Sequence, residues 1–299
     1  MTRLSVLLSS LGAASTALAG NSTLTADPVS GGPDNFLSAE ASIDLRIYRF
    51  GGSSAASAAI ASASYYDAEK DSWVEDDTSV LDMPEPLTKP GAAAIDSSIY
   101  LFGGSSADGT ASAALRQFDT VKNTYADRAK LPMAMSAVSA SHASDSSTVF
   151  YGSMVTPGLF TYDPTTDVHK TINDEQVNCL SKTYDGSRVY GVFDSLLHSI
   201  DSATGEISTV SDEQVPSTPT GWNSCGMTSD GSFYFLADQD IYFMDTSPET
   251  DQKWFAAVDS GGTATVPEHH ESDYTGLILE DLLVITSHGY TDLLQCNLV

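Results

Sequence analysis

Short apolar runs recur along this chain, each rich in β-branched and aromatic residues. Examples are Ile47-Tyr48-Arg49-Phe50, Ile99-Tyr100-Leu101-Phe102, Val149-Phe150-Tyr151, Phe233-Tyr234-Phe235 and Leu282-Leu283-Val284-Ile285. Asp-Gly or Asp-Ser steps precede several of them, which is the turn chemistry of β-hairpins. The spacing of apolar positions gives almost no helical period. The pattern therefore predicts strand, turn, strand, repeated from about residue 43 to the C-terminus.

The strands come in a larger repeat. Ile43-Asp44-Leu45-Arg46-Ile47-Tyr48-Arg49-Phe50-Gly51-Gly52-Ser53-Ser54 aligns without gaps on Ile95-Asp96-Ser97-Ser98-Ile99-Tyr100-Leu101-Phe102-Gly103-Gly104-Ser105-Ser106, an offset of 52 residues. The same offset carries Tyr66-Asp67 onto Phe118-Asp119 and Trp73 onto Tyr125. Weaker copies follow around Asp145–Gly152, Asp185–Gly191, Asp230–Phe235 and Asp281–Gly289. Apolar–Asp pairs end at 67, 119, 163, 201 and 245, spaced by 38 to 52 residues. In the sixth copy Gln295-Cys296 stands in that place. A period of this size, with four short strands in each unit, is the pattern of propeller blades.

The order of an apolar–Asp turn, Ile-Tyr-x-Phe-Gly-Gly, Tyr-Asp and then Trp resembles the Kelch repeat. Residues 47–52, Tyr66-Asp67 and Trp73 carry all of it, and the second copy has Tyr125 in the tryptophan slot. His169 falls in that slot in the third copy and reads as a packed structural replacement. The resemblance implies an all-β fold: a six-bladed β-propeller of four-stranded antiparallel blades, each blade one repeat. The last repeat is too short for an outer strand. The segment Ser22–Pro28 looks like one, and is expected to complete the last blade so that an N-terminal strand closes the ring, removing exposed strand edges.

The N-terminus has one basic residue, Arg3, an apolar stretch from Leu4 to about Leu11, and an Ala17-Leu18-Ala19 ending. This is the form of a secretory signal peptide over residues 1–19. It is too short and too interrupted by Ser9, Ser10, Gly12, Ser15 and Thr16 for a spanning helix. Residues 20–299 then form the mature, secreted, single propeller domain. Without Arg3 they hold 12 basic and 40 acidic side chains, a formal charge of −28. Such a charge repels phosphate backbones and anionic lipid, so neither nucleic acid nor membrane insertion is expected. Asn21-Ser22-Thr23 makes Asn21 a glycosylation acceptor.

Three cysteines allow at most one internal disulfide. Cys179 and Cys225 fall near equivalent points of neighbouring inner strands, where either a bridge or two buried thiols would fit.

In a propeller, the links between blades share one face with the loops between second and third strands. Loops on a rigid scaffold are the usual place for binding residues. The links here carry Lys89, Met133, Asn178, Trp222-Asn223 and Glu268-His269-His270-Glu271. The other loops carry Asp194, Asp238, Asp240, His288 and Tyr290. The Ala/Ser-rich stretches 53–64 and 105–114 read as flexible, chemically bland loops.

Imidazole plus carboxylate is a zinc or iron donor set, so His270, Glu271 and His288 are the metal-ligand candidates. A solvated loop with no ligand role is the competing reading. Adjacent His269 and His270 would point to opposite sides of a strand. Trp222 and Asn223 suit a sugar ring and its hydroxyls, or else core packing. The turn aspartates 44, 96, 145, 185 and 230 lie on the opposite face as turn formers.

The reading this supports is an extracellular binding module for a carbohydrate, a small molecule or a protein. The alternative is an enzyme on a sugar or small metabolite with its site at the channel mouth. It would be a mutarotase-like isomerase, needing a general acid and base and no cofactor, or a metal-dependent lactonase-like hydrolase. Pairs such as His270 with Glu271, or His288 with Asp238, would serve. The sequence names no cofactor. Two activities associated with Kelch-type repeats fit poorly. The copper oxidases take a ligand from an additional domain for which this chain has no room. The iron-dependent specifier proteins need Glu-x3-Asp-x3-His, where this chain has Glu40, Asp44 and Tyr48.

Overall fold

A computed structural model describes residues 23–297, apart from 31–32, 34, 55–57, 77, 144–145, 183–186, 218–223, 229–230, 238–239, 249–250, 257–274, 280–281 and 288–289. For β1 (Thr23–Ser30) and everything after Ala256 the description is of the backbone. The chain is a β-propeller of four-stranded antiparallel blades.

The first blade runs outward through β2 (Ala39–Ile43), β3 (Arg46–Phe50), β4 (Ala63–Asp67) and β5 (Ser72–Val74). The second is β6 (Gly91–Ile95), β7 (Ser98–Phe102), β8 (Leu115–Asp119) and β9 (Thr124–Asp127). The third is β10 (Val138–His142), β11 (Val149–Ser153), β12 (Leu159–Asp163) and β13 (Val168–Asn173). The fourth is β14 (Val177–Lys182), β15 (Arg188–Phe193), β16 (Leu196–Asp201) and β17 (Ile207–Thr209). The fifth is β18 (Cys225–Met227), β19 (Ser232–Ala237), β20 (Asp240–Asp245) and β21 (Phe255–Ala256).

A further sheet joins β22 (Thr275–Leu279), β23 (Leu282–Ser287) and β24 (Tyr290–Asn297) to β1, in the order β1-β24-β23-β22. There Thr23 pairs with Asn297 and Ser30 with Tyr290. The inner strands approach one another in chain order, and β22 lies against both β18 and β2.

The three inner strands of the first blade are covered on both faces, which is why they do not alternate buried and exposed positions. On one face of the first blade, Ala39, Ala41, Tyr48, Phe50, Ala63 and Tyr65 pack with Ile99, Leu101 and Phe118 of the second. On the other, Arg49 pairs across the strands with Glu40 and Ser64. The Arg49 and Glu40 side chains are 2% and 1% exposed, and Nε donates to Glu40 Oε1 at 3.0 Å. Nη1 also donates to the Pro33 carbonyl at 3.4 Å, and the guanidinium lies 5.6 Å from the Trp73 ring centre. Burial pushes the Arg49 pKa down, and Glu40 opposes that shift.

The glycine pair of the repeat has a definite job. Gly51 and Gly103 have φ of 63° and 60°, and a Cβ on either would stand 2.5 Å from Leu87 O or 2.4 Å from Met135 O. The next residue donates to that same carbonyl: Gly52 N–H to Leu87 O at 2.8 Å, Gly104 N–H to Met135 O at 2.9 Å. The pair thus lets the outgoing link fold back onto the end of the second strand. The turn aspartates Asp44 and Asp96 have φ of 52° and 51°, the left-handed conformation that Asp tolerates in tight hairpins. Asp145, Asp185 and Asp230 lie outside the described residues.

Candidate functional site on the link face

The links and the second-to-third-strand loops do share one face, because β2, β6 and β10 all begin there and β3, β7 and β11 all end there. Three entrances to the inner strands carry the same backbone feature. Leu37, Lys89 and Ala137 have φ of 59°, 56° and 50°, a strained region for residues with a Cβ. They are tied in series: Lys89 N–H donates to Leu37 O at 2.7 Å, and Val138 N–H to Lys89 O at 3.4 Å. Lys89 sits half-buried on this rim.

The Ala/Ser-rich loops are not the loose segments expected. Ser53 bridges Phe36 and Ala59, and Ser105 bridges Thr88 and Ala111, as short antiparallel contacts. The sequence reading missed this because the bonds are backbone to backbone, and small side chains are what permit such close approach. Between them, Asp108 accepts from Ser106 Oγ at 2.6 Å and from Thr110 N–H at 3.0 Å. These bonds to its charged form hold its pKa down at about 2. In the fourth blade, Asp194 and Ser195 both have positive φ and turn the chain between β15 and β16 in two residues, as a primed hairpin turn requires. Asp240 begins β20 and accepts from Tyr242 at 3.1 Å.

A cavity of about 340 Å³ opens on this face beside the outer strands of the second blade. Glu85, from the incoming link, Ser112–Leu115, Arg116, Asp127, Arg128 and Lys130 line it. Arg116 projects from β8 and donates to Glu85 at 2.8 Å and to Asp127, its cross-strand partner. Arg128 donates through Nε to Gln117 Oε1 at 3.0 Å and through Nη2 to the same oxygen. Gln117 in turn donates to Ser98 Oγ at 2.7 Å, which fixes the amide that fixes the arginine. Ser112–Ala114 belong to the stretch read as a bland loop, and none of the charged lining residues was singled out from the sequence. The signal was there: Arg116, Lys122, Arg128 and Lys130 fall within one short stretch of a chain with only 13 basic residues.

Trp222, Asn223, Asp238, His270, Glu271 and His288 all lie outside the described residues, as do Asn21 and the 1–19 segment. Among the described histidines, His142 bonds Ser146 O. His198 lies 5.2 Å from the Phe193 ring, and burial lowers its pKa. Cys179 and Cys225 are joined by a disulfide with Cα atoms 6.2 Å apart, stapling β14 to β18 within the core between the fourth and fifth blades.

No family model matches the chain, and no curated protein matches it. Among solved structures, one titled "Structure of YjhT" is similar over 88% of this chain and 94% of its own. The TM-score is 0.62 at 12% identity, a likeness of fold alone.

Proposed function

We propose that this chain is an exported Kelch-type propeller that works as an extracellular binding module, with its ligand seated on the link face. In this reading all six sheets are blades of one ring. β1, supplied by the N-terminus after removal of residues 1–19, is the clasp that closes it. The observation that carries the reading is the link-face cavity, whose volume is that of a site for a single sugar or small metabolite. Polar and charged groups converge there from two links and two strands, which is how a rigid scaffold presents a site.

Display of the purified protein over an array of saccharides, small metabolites and proteins tests it. Retention of a ligand that is lost on reshaping the cavity, for example by Ala114→Trp, supports the reading. Ligands that bind but ignore this substitution, or no ligand at all, overturn it. Sequencing the N-terminus of the protein recovered from the medium tests export, with Gly20 as the expected first residue.

A further inference from the structure

We propose that the cavity on the second blade recognises the oxyanion group of a small organic acid, with Arg116 as its anchor and Lys130 as a second cation. This rests on the binding-module reading and adds the ligand's chemical class. The chain carries a formal charge of −27, yet three cations and two carboxylates line this cavity. The local sign is reversed.

The ion pairs already present are arranged to give way. The Arg116 side chain is 20% exposed and held at the second position of β8, whereas Glu85 and Asp127 are 41% and 83% exposed. The cation is therefore partly desolvated and positioned, while its carboxylate partners stand in water. Exposed carboxylates lose little when released to solvent, so an incoming carboxylate or phosphate competes with them on favourable terms. Arg116 Nε is buried without an acceptor, so Glu85 and Asp127 do not exhaust the hydrogen-bonding capacity of the guanidinium. Guanidinium groups match two oxygens of one oxyanion, which favours this geometry over a lone lysine. Lys130 is exposed and makes no ion pair among the described residues, so its charge is available at the cavity edge.

Calorimetric titration at low ionic strength with glucose, glucuronate and glucose 6-phosphate separates the contributions, because the three share a ring and differ in charge. Both acids should bind, and glucose should bind about tenfold more weakly or worse, the effect of one charge-assisted contact. Glucuronate against the phosphate tells which oxyanion is preferred. Arg116→Gln should abolish the advantage of the acids, and Lys130→Ala, at an exposed position where folding is not at stake, should reduce it. Equal binding of acid and neutral sugar, or acids that bind equally well to both variants, would overturn the proposal. A neutral ligand held by wild type and both variants but lost in Ala114→Trp would remove the charge specificity and leave the link-face reading standing.

Discussion

Tyr125 and His169 occupy the same slot in neighbouring blades and make the same bond to the link that enters their blade. Tyr125 Oη donates to Leu81 O at 2.9 Å, and His169 Nε2 donates to Ala129 O at 2.9 Å. In the fifth blade Trp254 Nε1 does the equivalent to Glu213 O at 3.4 Å. The slot therefore asks for a ring that packs and also donates, and Tyr, His and Trp all qualify. A carbonyl only accepts, so Nε2 of His169 carries a proton, while Nδ1 bonds Tyr151 Oη at 2.8 Å.

His169→Phe keeps the ring and removes both bonds. It should lower the denaturation free energy by about 1–3 kcal/mol, since Ala129 O and Tyr151 Oη lose partners. His169→Tyr should lose less. Urea denaturation of the three proteins decides, and equal losses for Phe and Tyr would contradict the donor role.

Gly103→Ala should be more costly than a surface change. Its φ is 60°, and the new methyl would meet the Met135 carbonyl. Left-handed strain and backbone overlap together predict a loss of about 1–3 kcal/mol or more. Gly109→Ala serves as the control, because a Cβ there meets nothing within 4 Å although φ is also positive. Thermal melts should rank Gly103→Ala well below Gly109→Ala.

Arg49→Met leaves Glu40 buried without its cation. Breaking a buried pair from one side costs about 3–5 kcal/mol, whereas replacing both partners with apolar groups costs far less. The double variant Arg49→Met with Glu40→Leu should therefore recover much of what Arg49→Met loses. A double-mutant cycle in urea reads the coupling.

Asp167 accepts from Ala129 N–H at 3.0 Å and from Tyr162 Oη at 2.7 Å, and these bonds hold its pKa below the ordinary aspartate value. A depressed carboxylate stabilises the fold above its unfolded pKa of about 4, and that contribution is lost as pH falls through the folded value. In the second blade Asn123 takes the same place and accepts from Leu81 N–H at 2.6 Å. Asp167→Asn should then keep the bond from Ala129 and show a shallower loss of stability on acidification below about pH 4. The slope of the urea midpoint against pH measures it.

The bridge between Cys179 and Cys225 closes a loop of 46 residues. Loop entropy alone gives it about 4 kcal/mol, so reduction, or Cys179→Ser with Cys225→Ser, should lower the melting temperature clearly. Retention of the melting temperature after verified reduction would contradict that contribution.

The chain by itself determined its strands, its repeat and the turns between them. Those signals are local: a run of β-formers, an aspartate at a hairpin, a glycine pair where the backbone must turn left-handed. The repeat also showed that His169 stands where Trp73 and Tyr125 stand. It did not show why, because the bond is to Ala129, 40 residues back in the link between the second and third blades. Arg49 looked like any charged strand residue, and only the covering of both blade faces made it a buried ion. Glu85 met Arg116 across 31 residues of chain, and the cavity exists because a link and an outer strand converge there. Local preference fixes which elements form. Which charges share a pocket is fixed by how those elements pack, and a single sequence carries no periodic trace of that.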